Sequence, residues 1–248
     1  MGNIRTCGVW LTALLALGLL SGCATTNTEG DPLEPLNRTF YNINDTLDKG
    51  LIKPVAEVYG KYTPKPVRTG ITNFFDNLGL INTVANDILQ GKMGQALSDS
   101  ARFVFNSTLG IGGLFDVATG MGLEHHKEDL GQTFGVWGFG EGAYLNLPLR
   151  GPNSVRDAPD LVTSAYLNPI FYLNSVVTIP LAVLDGINTR ANLLEATNVV
   201  QEAALDPYIF TREAYRQRRI YDIYDGEPPL EEINGEPDEE EEGVLSIE

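Results

Sequence analysis

The chain has 248 residues, 43% of them hydrophobic, and a formal net charge of −16. That size and apolar share support one good-sized core, while the acidic balance and the lack of any extended basic stretch exclude a nucleic-acid-binding surface. Both cysteines, Cys7 and Cys23, lie near the N-terminus, so no disulfide framework runs through the rest of the chain.

The first predicted element is a targeting segment. Arg5 supplies a positive region, residues 9–20 give about a dozen mostly apolar positions, and Leu20-Ser21-Gly22 places small side chains before Cys23, which reads as a secretory signal. The apolar stretch is too short for a bilayer span, which takes roughly 20 residues. Leu-Ser-Gly-Cys resembles a bacterial lipobox, and that resemblance implies a lipidated Cys23 with residues 1–22 removed as the signal. Several acyl chains on one residue exceed the two-signal requirement for stable anchoring. Residues 23–30 then form a polar tether, and Ala24 rather than Asp after the cysteine points to the outer membrane of a Gram-negative cell. Cys7 leaves with the signal, so the mature chain carries no disulfide.

The body, residues 31–225, reads as mostly helical. Asp31-Pro32 and Asp206-Pro207 each place Asp for an N-cap and Pro for the first helical position. After Pro66, the positions Val67, Ile71, Phe74, Phe75 and Leu78 keep a helical period with Asn73 and Asn77 on the other side. Ile81, Val84 and Ile88 predict a second short helix. Leu97, Ala101, Val104 and Phe105 form one stripe of a helix over residues 95–106 that stops at the Gly110-Ile-Gly-Gly turn. Residues 139–151, "FGEGAYLNLPLRG", are the one predicted hairpin, with glycines bracketing the alternation of Tyr144 and Asn146 against Leu145 and Leu147. Leu181, Leu184, Ile187, Ala191 and Leu194 return to a helical period.

Residues 161–184 carry no charge between Asp160 and Asp185. Pro169, Pro180 and the polar Ser164, Asn168, Asn174, Ser175 and Thr178 speak against a spanning helix. Two broken or interfacial helices suit it better, with Tyr166, Phe171 and Tyr172 at headgroup depth. A second uncharged run, residues 130–140, contains Trp137. Buried core and membrane contact are both open for these two runs. In the last helix, Arg212, Arg216 and Arg219 share one face, fit either for phosphates or an acidic partner or for pairing with acids of the body. Residues 226–248 are read as a disordered acidic tail, because residues 227–248 hold ten acids and no base.

Enzymatic chemistry finds little support. Gly135, Gly138, Gly140 and Gly142 do not make a dinucleotide fingerprint, and no phosphate-loop lysine follows. His125 and His126 adjoin Glu124, Glu128 and Asp129, but neighbouring side chains point to different sides of a helix, which argues against a shared metal. No catalytic residue, cofactor or metal ligand is assigned.

Several strings in one order carry a specific resemblance. Asp31-Pro-Leu-Glu-Pro-Leu-Asn37-Arg38 comes first, then Glu128-Asp129-x-Gly131-Gln132-Thr133-x-Gly135-Val-Trp137-Gly138-x-Gly140-Glu-Gly142-x-Tyr144 with Leu147-Pro148 and Gly151-Pro152. Arg156-Asp157 and Asp206-Pro207-Tyr208-Ile209 follow. Together they resemble the MlaA/VacJ outer-membrane lipoproteins from Cys23 to about residue 224. The resemblance implies a mainly α, ring-like single domain of amphipathic helices lying in one membrane leaflet, with a small β-hairpin and a channel through the ring. It also implies removal of mislocalised phospholipids from the outer leaflet, transfer to a soluble MlaC-like periplasmic carrier, and a place beside a trimeric porin. Trp137, Tyr144, Gly138 and Gly140 are the expected substrate-path residues, and Arg212, Arg216 and Arg219 the expected partner or headgroup contacts. Two other classes stay open: a membrane-tethered scaffold for porins without lipid transport, and a lipid hydrolase that would have to use His125 or His126.

Overall fold

The computed structural model describes residues 31–229. The signal, Cys23 with its tether, and the tail from residue 230 onward lie outside the described residues. Helix α1 (Glu34–Leu47) passes through a π-turn (Asp48–Ile52) into α2 (Lys53–Tyr62), and α3 (Lys65–Gln90) and α4 (Met93–Thr108) follow. Next come α5 (Val117–Gly120), α6 (Leu130–Val136) and an antiparallel hairpin of β1 (Tyr144–Leu147) and β2 (Gly151–Ser154), with Tyr144 opposite Ser154. The last described elements are α7 (Asp160–Leu167), a 3-10 turn (Pro169–Tyr172), α8 (Ser175–Asn192), α9 (Leu194–Ala203) and α10 (Pro207–Ile223).

Contacts between these elements close a circuit. The strands lie against α1, β2 against α10, α10 against α6, α6 against α3, α3 against α8, and α8 against α2, which the π-turn joins back to α1. The body is therefore ring-like and mainly helical. Among the described residues no helix is long and apolar enough to cross a membrane.

The interior is polar. Asn77, Thr83, Asn86 and Asp87 of α3 are buried, and so are Asp99, Arg102 and Asn106 of α4, with Arg102 only 2% exposed. The apolar positions of the same helices face outward, including Val67, Ile88 and Val104, and Leu97 is 74% exposed. The helical periods read from the sequence are correct, but Val67 of the α3 stripe and Leu97 and Val104 of the α4 stripe are exposed, while Ile71, Phe74, Phe75 and Leu78 are half-buried, the last two against an interior cavity.

Other differences have local causes. The two helices expected after Pro66 are the single helix α3, because Gly79 between them is tolerated at a modest propensity cost and has open space where a side chain would be. Asp206 does cap α10, accepting from the Tyr208 and Ile209 amides. Asp31 does not cap α1, which starts three residues later. Its carboxylate accepts from the Leu33 amide, and its backbone carbonyl accepts from the Glu34 amide. The hairpin lies at residues 144–154 rather than 139–151, since the glycines at 138, 140 and 142 belong to the loop before it. Asn37 and Asn44, two helical turns apart on α1, pair with the open edge of that hairpin. Asn37 donates to the Tyr144 carbonyl (2.8 Å) and accepts from the Asn146 amide (2.8 Å), and Asn44 donates to the Leu147 carbonyl (2.8 Å).

In the uncharged run, Asn168-Pro169 breaks the chain between α7 and the 3-10 turn, whereas Pro180 is accommodated inside α8. Its polar groups are satisfied locally: Asn168 caps the 3-10 turn, Asn174 caps α8, Ser164 donates to the Asp160 carbonyl and Thr178 to the Ile170 carbonyl. Tyr166, Phe171, Tyr172 and Ile179 are exposed, and Val176 is 78% exposed. Residues 161–184 are therefore not buried core.

Candidate functional site

Two cavities lie within the circuit. One, about 350 Å³, is bounded by α3 (Phe75, Asp76, Asn82), the loop before α6 (His125, Lys127, Glu128), α7, α8 (Asp185, Thr189) and Arg150 of the hairpin turn. The second, about 380 Å³, lies between α1, the hairpin, α8, α9 and α10 and is lined by Tyr41, Pro152, Pro207, Phe210 and Ala214 together with Asp48 and Arg190. They share a partition: Arg150 and Gly151 are consecutive in the hairpin, and Thr189 and Arg190 are consecutive in α8. One side of that partition is charged and the other largely apolar. Arg190 is held there by a two-pronged pair to Asp48 at 2.7 and 2.8 Å.

Five acids border the charged cavity, and three are engaged by the fold. Glu128 pairs with Lys92 (2.9 Å), Asp129 with Arg219 (2.6 Å), and Asp160 accepts from the Leu130 amide (3.1 Å) and from Asn82. Asp76 and Asp185 have no ion-pair partner among the described residues, and neither have Lys127 and Arg150. Burial, with the Asp76 charge next, raises the Asp185 carboxyl above its ordinary value, and Lys127 partly offsets this.

The arginine face of α10 points inward. Arg219 reaches Asp129 and also Asp157 (3.0 Å), to which Tyr215 donates its hydroxyl. Burial pushes both carboxyls up, but Arg219 together with the Gln132 amide at Asp129, and Arg219 together with Tyr215 and Arg156 at Asp157, hold them below the usual range. Arg212 pairs with Glu213 (2.7 Å) and Asp31 (3.6 Å), and Arg216 with Glu141 (3.4 Å). Pairing with acids of the body is thus the arrangement realised. It also explains part of the glycine pattern: a Cβ on Gly131 would stand 2.2 Å from Asp157 Oδ1, and one on Gly135 would stand 2.7 Å from Ile223 Cδ1.

Arg102 sits in α4 between Asp116, at 3.0 and 3.1 Å, and the Leu123 carbonyl. Burial opposes ionisation of Asp116, yet hydrogen bonds from Thr119, Asn106 and Arg102 bring its pKa down to about 2. Asp87 differs: it is 0% exposed and neither carboxyl oxygen has a hydrogen-bond partner. Burial, with the nearby Asp99 and Glu128 charges, raises it to about 7. His126 Nδ1 lies 2.8 Å from Asp99, and no cluster that could hold a metal ion occurs among the described residues.

The expected path residues are separated. Tyr144 is 0% exposed, edge-on to Tyr208 and Tyr215. Gly138 and Gly140 border a third cavity, of about 350 Å³, beside Arg216 and Arg219. Trp137 is half-exposed on the outer surface against Phe134, its indole N–H donating to the Leu89 carbonyl. Sequence reading missed Asp76, Lys127, Arg150 and Asp185 as a group, because they come from four separate elements. One signal pointed toward it: Asp185 ends the uncharged run.

Fold and site define a class: a ring of helices with many apolar side chains exposed outside and a charge-lined cavity inside. The sequence profile described as MlaA lipoprotein matches residues 29–222. Proteins of Escherichia coli (strain K12) and Shigella flexneri, each called intermembrane phospholipid transport system lipoprotein MlaA, are 38% identical to this chain over 236 residues, 90% of this chain and 92% of theirs. A solved structure described as "Structural basis for maintenance of bacterial outer membrane lipid asymmetry" aligns with a TM-score of 0.70 at 35% identity, over 78% of this chain and 98% of that one. The chain belongs to the MlaA lipoprotein family.

Proposed function

We propose that this protein is a lipid-anchored outer-membrane lipoprotein that removes mislocalised phospholipids from the outer leaflet and passes them to a soluble MlaC-like periplasmic carrier. One observation carries the reading: apolar side chains face outward around a polar, cavity-bearing interior. Such a body is stable with its rim in acyl chains and its passage wet. Moving two acyl chains bare through water would expose some thirty methylenes, on the order of 20 kcal/mol, so a path that covers the chains and solvates the headgroup is what transport requires. In this reading Cys23 carries the anchor, and the body lies in the periplasmic-side leaflet. Tyr166, Phe171, Tyr172 and Trp137 meet lipid, and a trimeric porin stands alongside. No catalytic step is assigned to the chain.

The test is outer-leaflet phospholipid in cells lacking the gene, complemented with the intact chain or with Cys23→Ala. A rise reversed only by the intact chain supports anchored lipid removal. The absence of any rise would instead favour a tethered scaffold for porins.

A further inference from the structure

The charged cavity has an uncommon balance. Elsewhere the buried cations of this protein are matched by internal carboxylates: Arg102 by Asp116, Arg190 by Asp48, Arg219 by Asp129 and Asp157. Around this cavity two cations and two carboxylates stand unpaired on four different elements: Asp76 on α3, Lys127 on the loop before α6 and Arg150 on the hairpin turn, all three solvent-exposed, and the half-buried Asp185 on α8. None makes an ion pair with another described residue, and Asp185 has only the Thr189 hydroxyl of its own helix as partner. Asp76 and Asp185 border the same cavity, so a cation bound there is attracted by both carboxylates. Lys127 and Arg150 supply donors for a phosphate in the same space.

We infer that this cavity is a headgroup-selective site for a zwitterionic phospholipid, with Lys127 and Arg150 on the phosphodiester and Asp76 and Asp185 on the primary ammonium of an ethanolamine-type headgroup. The inference rests on the phospholipid-transport reading and adds a headgroup preference to it. An anionic glycerol headgroup would find the phosphate donors but would leave both carboxylates uncompensated. The neighbouring cavity across the Arg150–Gly151 and Thr189–Arg190 partition, lined by Pro207, Phe210 and Ala214, is placed to take an acyl chain from the same lipid.

The test uses the full mature protein in detergent, equilibrated with mixed micelles holding equal phosphatidylethanolamine and phosphatidylglycerol, with bound lipid read by native mass spectrometry. The wild type should hold the ethanolamine lipid over the glycerol lipid by about fivefold, the ratio that one partly exposed ion pair sustains. The double variant Asp76→Asn with Asp185→Asn should bring that ratio close to one while keeping total lipid, and Lys127→Gln with Arg150→Gln should lower both lipids together. Thermal melts of the variants confirm that they remain folded. Equal capture of the two lipids by wild type, or an unchanged ratio in the aspartate double variant, overturns the headgroup site and leaves transport standing. Capture of neither lipid by wild type overturns the transport reading along with it.

Discussion

The seam between α3 and α4 and the segment spanning residues 161–184 are opposites. The seam buries Asn77, Asp87, Asp99, Arg102 and Asn106, whereas the segment has no charge and exposes Tyr166, Tyr172, Val176 and Ile179. In water the hydrophobic effect would favour the reverse. The contrast shows that this body is held together by hydrogen bonds and ion pairs facing inward, and that its apolar surface is positioned to be covered by something else.

The strongest way to break the contrast is from outside. Val176, Ile179 and Val183 share one exposed face of α8. In a chain also carrying Cys23→Ser, so that the anchor does not mask the effect, their triple replacement by Ser should reduce partitioning into vesicles by about tenfold or more per side chain, at about 1.5–3 kcal/mol each. Unfolding in detergent should move by only about 0.5 kcal/mol per site. A flotation assay and a urea melt read the two effects separately.

From inside, Arg219→Met should lower stability by about 3 kcal/mol, because it leaves Asp129 without its cation and Asp157 with Arg156 alone. A shift no larger than that of an exterior single variant would mean that the inward pairs do not hold the ring. Gly131→Ala drives a methyl into the same ion-pair cluster and should cost about 1–3 kcal/mol. Gly186→Ala, mid-helix with open space around it, should stabilise by up to about 1 kcal/mol.

The seam also makes a pH-dependent prediction. Asp87 has a folded pKa raised from the ordinary carboxylate value of 3.8 to about 7, so the folded state binds its proton more tightly than the unfolded chain does. The stability this contributes is complete below about pH 4 and is lost progressively as pH rises through 7. Asp87→Asn should therefore raise the melting temperature at pH 8 more than at pH 5, and equal shifts at both would show that Asp87 is ionised throughout.

Much of the fold was legible because its signals are local. The Asp206-Pro207 start, the break at Asn168-Pro169 and the hairpin around Tyr144 are set by residues within a turn of each other. The site was far less legible. Arg212, Arg216 and Arg219 look like a stripe awaiting a partner until Asp31, Asp129, Glu141 and Asp157 are brought against them from distant parts of the chain.

By itself the sequence determined the periods, the breaks, the uncharged run and the strings that mark the family, all of which depend on neighbours along the chain. The direction in which each amphipathic helix faces was decided only by the tertiary structure. A hydrophobic period records that two faces differ, and which of them turns inward depends on whether the other face is covered by water or by lipid. The gathering of two cations and two carboxylates from four elements around one cavity was likewise decided there, since nothing along the chain brings residues 76, 127, 150 and 185 together.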